Sequence, residues 1–556
     1  MRPILRVVAA LACVALATAC AKPDPSKAET WFKNLSSKET KVRLDALLQL
    51  KKIGDKSAVA AIVPLLKESG EVKVAAVKTL ASLGDTAAIP ALVEALDVSV
   101  GIGSDKATKD ANTTNKEIAQ ALGDLGDKAA LDPLLDLASK TKDPFVKAAA
   151  VNSIGGMGDA KAVTLLSKIA TDDGEETYVT KKAIQALGNI GDPAGVPAIK
   201  KGFFQERKGV SFYMESSFAA YQIGLRAADP FLAVLEGKDD DLKKWADDND
   251  IYVEALYAKA GQVLGDLNDR RAIPTLVKQL AYGKGPKSDD SIDARMLIVR
   301  RQAADVLGRM RAVEAVPELV KGLKEDEGNV RAVYAQALVS IGDKRALPDL
   351  VACALKGEVM EKSIHARKGC YQALSKLGDD KTLAQWEAWE KAEPALSSAA
   401  CMKGLDYDAK SKDNAQKHCD EVAGNVVKTL AENKSRLVAA AECKDDVSCW
   451  AGKLKSEDPK VRERAAMELG RINDPKAMAP LLAAVTDAEL EPRYAAILAA
   501  DWVVSSSKEA LEEAKKGLAK LDKQIDQEKD KVHFAKVNQD LTRLAVKIRR
   551  LDRIGS

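Results

Sequence analysis

Apolar residues recur at every third or fourth position along most of the chain, and one short turn interrupts them repeatedly. This spacing is typical of amphipathic helices. The turn lies within "LASLGDTAAIPALVEAL" at 80–96 and returns within "LGDLGDKAALDPLLDL" at 122–137. Gly84 lies where a helix would end through a left-handed residue, and Asp85 is placed to cap the next helix. Pro90 falls within the first turns of that helix, where it removes a backbone bond and can bend the helix.

A second signature, a valine followed by a basic residue, lies twelve residues before the turn. It occurs at Val42-Arg43, Val72-Lys73, Val146-Lys147, Val330-Arg331 and Val461-Arg462. Each unit is therefore predicted to contain helix A, a loop, helix B and the tight turn. Aromatic residues are 4% of the chain, which disfavours strands. About eleven such units, with a period of roughly 30–36 residues, predict an all-α solenoid in which stacked hairpins share one core.

The recurring pattern V-[RK]…A…LG.[IL]GD..A.P.L resembles HEAT repeats, in particular the short bacterial type of phycobilin-lyase-like proteins. The resemblance covers residues 29–390 and 456–505. It implies a solenoid of HEAT-like helical hairpins with a long groove. Scaffolds, lyases and hydroxylases all use such repeats, so the resemblance alone leaves the function open.

Residues 1–19 have the features of a bacterial lipoprotein signal peptide. Arg2 and Arg6 precede the apolar stretch "VVAALACVALATA", which is short for a membrane span and ends in small residues. The following "LATAC" resembles the bacterial lipobox, which implies that Cys20 becomes the lipidated first residue of the mature protein. An ordinary cleaved secretory signal is the alternative. Residues 20–28 would form a short polar tether.

Six of the eight cysteines cluster in the later part of the chain. They are Cys353, Cys370, Cys401, Cys419, Cys443 and Cys449. An even number in an exported protein suggests disulfides, and we expect sequential pairs among the many connectivities that six cysteines allow. Free buried thiols are one alternative. A zinc site built from His418 and the cysteines at 401, 419 and 443 is another, disfavoured because the usual close cysteine spacing is missing.

Three repeat intervals carry extra residues between helix A and helix B, at 97–115, 237–251 and 282–293. Loops at equivalent points of a solenoid lie along one edge and can form a binding rim. Tolerated polar insertions are the alternative. The second insertion is rich in aspartate around Trp245 but lacks the glycine of an EF-hand loop. A solvated acidic loop is therefore favoured over a calcium site.

The two ends of the solenoid depart from the repeat. Residues 391–455 lose the turn but keep helical spacing, which we interpret as divergent, cysteine-rich helical repeats. Residues 506–556 have apolar residues at 3,4 spacing on both sides of a shift near "DQEKDK". They predict a long C-terminal helix or a helical hairpin. This segment would either cap the solenoid or project and form a coiled coil with a second copy or a partner.

The numbers of charged residues and histidines limit the functions that the sequence allows. Lys and Arg number 85 against 82 Asp and Glu, so the net charge of +3 gives no global field for nucleic acid.

Deoxyhypusine hydroxylases are HEAT-repeat di-iron enzymes with repeated His-Glu ligand pairs. This chain has only His365, His418 and His533, and no His-Glu dipeptide. The tetrapyrrole chemistry of a phycobilin lyase is intracellular and fits poorly with an export signal. The common nucleophile, phosphate-loop and zinc-protease motifs are also missing. The sequence therefore predicts no catalytic residues, no metal, no cofactor and no enzyme.

These features together predict a membrane-anchored, periplasm-facing scaffold lipoprotein that binds protein or peptide partners through the groove of its repeats. Ala21 follows the lipid-bearing cysteine in place of aspartate, which favours the outer membrane. The N-terminal lipid would be the only membrane contact, and the C-terminal helix offers possible self-association. The alternatives are an enzyme on a HEAT-like scaffold, lyase-like in kind, and a structural envelope protein that assembles through the C-terminal helix.

Overall fold

The computed structural model describes residues 24–283, 294–324, 328–355, 364–405, 408–528 and 535–554. This part of the chain is helical apart from its turns and one isolated β-bridge between Arg207 and Val210. The all-α solenoid predicted from the repeats is confirmed. The predicted signal peptide, Cys20 and most of the insertion at 282–293 lie outside the described residues.

The chain forms two compact units, residues 1–219 and 220–556. The helices that begin in the first unit are α1 (Glu29–Leu35), α2 (Thr40–Ile53), α3 (Val59–Ile62), α4 (Glu71–Leu83), α5 (Ile89–Glu94), α6 (Lys106–Leu125), α7 (Leu131–Lys140), α8 (Pro144–Met157), α9 (Val163–Thr171), α10 (Thr177–Ile190), α11 (Val196–Phe204) and α12 (Tyr213–Ile223), which crosses the boundary. Odd-numbered helices are the A helices of the repeats and even-numbered ones the B helices. Consecutive B helices pack side by side, whereas consecutive A helices touch less, so the B layer forms the inner side of the unit.

The second unit continues with α13 (Ala228–Leu235), α14 (Asp240–Asp248), α15 (Val253–Leu267), α16 (Ile273–Gln279), α17 (Ala294–Arg309), α18 (Val316–Gly322), α19 (Gly328–Ile341), α20 (Leu347–Leu355), α21 (Ile364–Leu377), α22 (Asp380–Gly404), α23 (Lys412–Cys443), α24 (Val447–Lys453), α25 (Pro459–Ile472), α26 (Met478–Ala484), α27 (Leu490–Val503), α28 (Lys508–Glu528) and α29 (Ala535–Ile554). From α15 onward the odd-numbered helices are the B helices. They again pack side by side in chain order.

The repeated turn has the chemistry that its sequence predicts. Gly84 ends α4 in the left-handed region, with φ of 63°. The Asp85 carboxylate then accepts a hydrogen bond from the Ala87 N–H at 3.0 Å and caps the 3₁₀ turn that leads into α5. Pro90 occupies the first turn of α5, where its missing N–H leaves no intrahelical bond unmade. The sequence therefore specifies where each B helix ends and the next A helix begins.

The basic residue of the second signature joins helix ends. Lys73 in α4 donates to the Ala95 carbonyl at 3.1 Å, at the end of α5. At the corresponding position of α21, where Ala366 replaces the valine, Arg367 donates to the Ala354 carbonyl at 2.9 Å, near the end of α20. Arg462 in α25 donates to the Ser456 carbonyl at 2.9 Å. Carbonyls at a helix end lack intrahelical donors, so these bonds to the ends of A helices and the residues after them assign the signature to the scaffold.

Small side chains let the B helices approach closely. The Ser153 hydroxyl in α8 donates to the Ala119 carbonyl of α6 at 2.8 Å. Gly155 faces Ala186 of α10, and a methyl group built on this glycine would lie 2.6 Å from the Ala186 Cβ. The alanine-rich composition of the repeats therefore sets the distance between consecutive B helices.

The C-terminal segment contains two helices, α28 and α29, that pack against each other. Lys515 pairs with Asp552 at 2.7 Å, which joins the start of the first helix to the end of the second. The apolar residues of the predicted seam are buried within the second unit: Leu521, Val537, Leu541, Leu544 and Ile548 are each at most 6% exposed. Of the two sequence alternatives, the structure has the helical hairpin, and its seam is covered by its own chain.

Candidate binding surfaces

The inner side of the first unit presents one residue from each B helix at the same height. This residue lies six positions before the turn residue and is exposed or half-buried in α2, α4, α6, α8 and α10. The residues are Leu48, Lys78, Gln120, Asn152 and Gln185. The last three carry side-chain amides and stand on consecutive B helices. We call Gln120, Asn152 and Gln185 the amide row.

The amides of this row are available for hydrogen bonding. Gln120 and Asn152 are exposed, and Gln185 is half-buried. None of the three makes a side-chain hydrogen bond to another group in the described parts of the chain. A primary amide offers two donor hydrogens and an acceptor oxygen. The row is therefore a set of unused donors and acceptors along a continuous helical surface.

An aromatic pair lies at the N-terminal ends of α8 and α10, beside the amide row. The rings of Phe145 and Tyr178 are 5.4 Å apart between centroids, and Phe145 is 63% exposed. The Tyr178 hydroxyl is buried without a hydrogen-bond partner in the described residues. Burial, followed by the charges of Asp143 and Glu176, raises the pKa of Tyr178 to about 12. An exposed ring of this size is a favourable contact for an apolar side chain of a partner.

Ion pairs tie neighbouring B helices together around these groups. Lys78 of α4 pairs with Glu117 of α6 at 3.2 Å. Lys181 of α10 pairs with Glu215 of α12 at the same distance. These charges neutralise each other, so the surface beside the amide row has no strong field of one sign.

The equivalent positions of the second unit differ from one another: Gln336 on α19 and Gln372 on α21 are exposed, whereas Gln262 on α15 is bonded within its own chain. Gln262 lies six residues before the turn residue Asn268, and its amide oxygen accepts a hydrogen bond from Gln302 at 2.6 Å. Asp266 pairs with Arg309 at 2.6 Å and with Arg543 of α29 at 3.3 Å. The amide of α15 that corresponds to the row in the first unit is therefore already bonded.

The last B helices also donate to the ends of earlier ones within this unit. Arg471 of α25 donates to the Val339 carbonyl of α19 at 2.7 Å. Trp502 of α27 donates through its indole N–H to the Arg309 carbonyl of α17 at 3.0 Å. Tyr221 is 4% exposed, and Arg550 of α29 donates to its carbonyl. The C-terminal helices thus cover part of the inner side of the second unit, while Gln336 and Gln372 are exposed on it.

Two of the three insertions are ordered on the scaffold. The first, at 97–115, runs into α6, where Asn115 donates to the Asp97 carbonyl at 2.6 Å. The second, at 237–251, forms α14, in which Leu242 and Ala246 are 5% and 1% exposed. The expectation of a solvated acidic loop is wrong there, because these apolar residues lie on one buried face of a short helix.

The six clustered cysteines form three sequential pairs in the structure. Cys353 bonds to Cys370 between α20 and α21, with Cα atoms 5.9 Å apart. The Cα atoms of Cys401 and Cys419 are 5.4 Å apart, and those of Cys443 and Cys449 are 5.3 Å apart. The cysteines of the alternative zinc site are thus engaged in disulfides. Cys20, the predicted lipid site, is not among the described residues.

The described residues offer no group of three or more His, Cys, Asp or Glu side chains placed to hold a metal ion. Of the three histidines, His418 is exposed beside the bonded Cys419, and the side chains of His365 and His533 are not described. These residues do not fit a di-iron centre of the deoxyhypusine hydroxylase kind. Within the same parts of the chain, none of the helices combines the length and the apolar character needed to span a membrane.

Curated relatives with known activities share the repeats. Phycocyanobilin lyase subunit alpha of Picosynechococcus sp. is 27% identical over 166 residues, which are 29% of this chain and 60% of the lyase subunit. Deoxyhypusine hydroxylase of Danio rerio is 24% identical over 253 residues, 46% of this chain and 72% of that enzyme. The Neurospora crassa enzyme is 26% identical over 258 residues, 45% of this chain and 72% of its own length.

These relatives contradict the prediction that the chain is not an enzyme, since their names describe enzymes. The prediction relied on the absence of familiar contiguous motifs. On a solenoid, side chains that act together come from separate repeats, so no contiguous motif needs to appear. The absence of such motifs was therefore insufficient ground for excluding catalysis.

Solved structures with a similar arrangement include yeast importin-beta (Kap95p), with a TM-score of 0.38 and 13% identity over 90% of this chain and 69% of that one. Human deoxyhypusine hydroxylase in complex with glycerol gives a TM-score of 0.21 and 20% identity, over 53% of this chain and 97% of that one.

The family profile described as HEAT repeats matches residues 28–101, 106–177, 146–210, 297–364 and 450–528. The matches lie in both units and together cover more than half of the chain. They include the turns and the valine-basic signatures from which the sequence predicts the repeat. The chain belongs to the HEAT-repeat family.

Proposed function

We propose that this protein is a HEAT-repeat scaffold that binds an extended polypeptide segment along the inner surface of its first unit. The observation that carries the proposal is the amide row, Gln120, Asn152 and Gln185, whose side chains are without partners on three consecutive B helices. Gln262 of α15 supplies a comparison, because it occupies the equivalent position and is bonded within its own chain.

The chemistry of the row suits a polypeptide backbone. An extended segment presents N–H and C=O groups that need both acceptors and donors, and a primary amide supplies both. Packed helices are about 8–10 Å apart, and an extended chain advances about 3.3 Å per residue. One amide would therefore meet about every third residue of the segment. Backbone recognition of this kind gives affinity, while neighbouring pockets select side chains.

The aromatic pair would select such a side chain. Phe145 and Tyr178 lie on the same two helices as Asn152 and Gln185, towards the helix N-termini. The exposed face of Phe145 favours an apolar side chain of the bound segment. We therefore expect bound sequences to share one apolar residue rather than a run of charge.

The test is selection of a displayed random-peptide library on the full chain, followed by binding measurements with the selected peptides. The triple variant Gln120→Leu, Asn152→Leu and Gln185→Leu keeps the shape of the surface but removes its amides. It should raise the dissociation constant at least about tenfold, because that factor corresponds to the free energy of one or two net hydrogen bonds.

The control replaces three exposed amides of the second unit, Asn414, Asn425 and Gln527, with leucine. It should bind the selected peptides like the wild type. Equal binding by both triple variants, or failure of the library to yield any peptide, would overturn the proposal.

A second candidate is an enzyme on this scaffold, which the lyase and hydroxylase relatives favour. Two assays address it directly. The absorbance spectrum of phycocyanobilin should change on covalent attachment if the activity is lyase-like. Mass spectrometry of a deoxyhypusine-containing protein should show the gain of one oxygen atom if it is hydroxylase-like. No change in either assay would reject both activities.

We also infer that the protein is exported and anchored to the cell envelope through lipidated Cys20, facing the periplasm from the outer membrane. The lipobox-like "LATAC" supports this inference. The three cysteine pairs also support it, because disulfides persist mainly in oxidising compartments. Separation of inner and outer membranes, with detection of the protein in each fraction, tests the location.

A further inference from the structure

A small pocket opens on the second unit, where the loop closed by Cys443 and Cys449 meets the start of α22. Its volume is about 270 Å³. Trp450, which is 1% exposed, and Ala440 form part of its wall. A water molecule takes about 30 Å³ of liquid volume, so the pocket has room for a molecule about the size of an amino acid.

A buried arginine in the wall has an unused donor. Arg464 is 3% exposed, and its terminal nitrogens donate to the Ser375 and Gly378 carbonyls at 2.9 Å each. It also pairs with Glu468 at 2.7 Å. Its Nε has no hydrogen-bond partner in the described residues. The guanidinium that carries this nitrogen forms part of the pocket wall, so its positive charge favours an anionic ligand group in the pocket.

Two of the acidic side chains at the pocket are already engaged. Glu468 pairs with Arg471 as well as with Arg464. Burial acts to raise the pKa of Glu468, but these two guanidinium groups outweigh it and hold the pKa below its usual value. Asp379 caps α22 through the N–H groups of Lys381 and Thr382. These carboxylates stabilise the scaffold, and the nearby Lys344 also acts to lower the pKa of each of them.

The remaining charges at the mouth have both signs. Lys344 and Lys444 are exposed cations that line the pocket, and Asp380 and Asp445 are exposed anions beside them. The side chains of Lys344, Lys444 and Asp445 form no ion pair or side-chain hydrogen bond among the described residues. The pocket therefore offers cations for an anionic group and a carboxylate for a cationic group.

The loop at the mouth is fixed by several constraints. Lys444 has a positive φ of 49°, which is unusual for a residue with a side chain. The indole N–H of Trp450 donates to the Lys444 carbonyl at 2.7 Å, and the Cys443–Cys449 disulfide closes the loop around it. A strained residue that its surroundings hold in place often marks a binding site.

We propose that this pocket binds a small zwitterion of the amino-acid class. The carboxylate of the ligand is attracted by Arg464 in the wall and by Lys344 and Lys444 at the mouth, and its ammonium group faces Asp380 and Asp445. The site lies in the second unit and is independent of the polypeptide-binding surface proposed for the first.

Isothermal titration calorimetry of the full chain with each standard L-amino acid tests the proposal. At least one amino acid should bind, and its deamino acid and its decarboxylated amine should each bind at least about tenfold more weakly, because each lacks one charge. Lys344→Gln and Asp445→Asn should each weaken the binding of that amino acid by a similar factor. Both residues are exposed, so the variants should fold normally.

Lys410→Gln and Asp413→Asn are the matched controls, because both residues are exposed and lie outside the pocket. They should leave the dissociation constant unchanged. If no amino acid binds, or if the pocket variants bind like the controls, the proposal is wrong. Binding of the deamino acid as tightly as of the amino acid would equally overturn it, because Asp445 would then have no part.

Discussion

Two adjacent glycines of α8 should respond in opposite ways to the same substitution. A Cβ on Gly155 would lie 2.6 Å from the Ala186 Cβ and 2.8 Å from the Ala186 Cα, whereas a Cβ on Gly156 would meet nothing within 4 Å. Alanine in place of glycine favours a helix by about 1 kcal/mol at either position. At Gly155 the overpacking costs about 1–3 kcal/mol or more, because the opposing Cα belongs to the backbone and cannot rotate away.

We therefore expect Gly155→Ala to lower the free energy of unfolding of the surrounding repeats by about 1–2 kcal/mol. Gly156→Ala should raise it by up to about 1 kcal/mol. Repeat arrays unfold locally, so amide hydrogen exchange of residues 144–190 is the appropriate measurement, with urea denaturation as a second one. If Gly155→Ala protects these amides as well as the wild type does, or if both variants lose protection equally, the close approach of α8 and α10 is not what the structure indicates.

Four further outcomes are expected. Cys20→Ala should release the protein from membranes, and persistence in the membrane fraction after a salt wash would contradict lipid anchoring. Protein purified without reductant should have no free thiol in residues 353–449, and reduction should increase hydrogen exchange there first, because each cross-link contributes about 2–4 kcal/mol. Glu393→Gln should cost about 3–5 kcal/mol in a urea melt, because Glu393 is 0% exposed and its removal leaves Arg367, 2.8 Å away, without its counter-charge. The absorbance difference between wild type and Tyr178→Phe should show one tyrosine that ionises near pH 12. The free energy of unfolding of the wild type should fall between pH 10 and that pKa, because the unfolded chain loses this proton first. Ionisation of Tyr178 near pH 10 would contradict the buried hydroxyl.

The sequence predicts the local geometry of the repeat because the responsible contacts lie within a few residues. Gly84 and Asp85 form the turn with atoms no more than a few positions apart. The valine-basic signature also has a local partner, since Arg462 donates to the Ser456 carbonyl only six residues away. Periodicity identifies the inner positions as well, once the B helices are aligned on their turn residues. The amide row could have been found in this way, because its members are equivalent residues of consecutive repeats.

The covering of the second unit has no comparable signal in the sequence. Arg471 reaches the Val339 carbonyl across 132 residues, and Trp502 reaches the Arg309 carbonyl across 193. An arginine or tryptophan on a helix carries no indication of which distant carbonyl it will meet. The pocket beside Trp450 depends on the same long-range packing, because Arg464 must first be buried against the end of α21. The sequence does not predict the helix α14 for a different reason. Its many aspartates indicate an exposed loop, although Leu242 and Ala246 form a short apolar face between them.

Gln120 and Gln262 show why the binding surface is assigned to the first unit and not to α15. Both lie six residues before the turn of a B helix, so local sequence gives them the same position. Gln262 accepts from Gln302 at 2.6 Å, in a unit where Arg543 from the C-terminal hairpin also pairs with the nearby Asp266. A partner at α15 would have to replace these bonds and uncover apolar residues of α29, whereas a partner of the first unit would add bonds to amides that have none. Since an exchange of hydrogen bonds contributes little net free energy and a buried unpaired group costs about 1–3 kcal/mol, binding at the first unit is favoured over binding at α15. The same inner position therefore stabilises the fold at α15 and is free to recognise a polypeptide in the first unit.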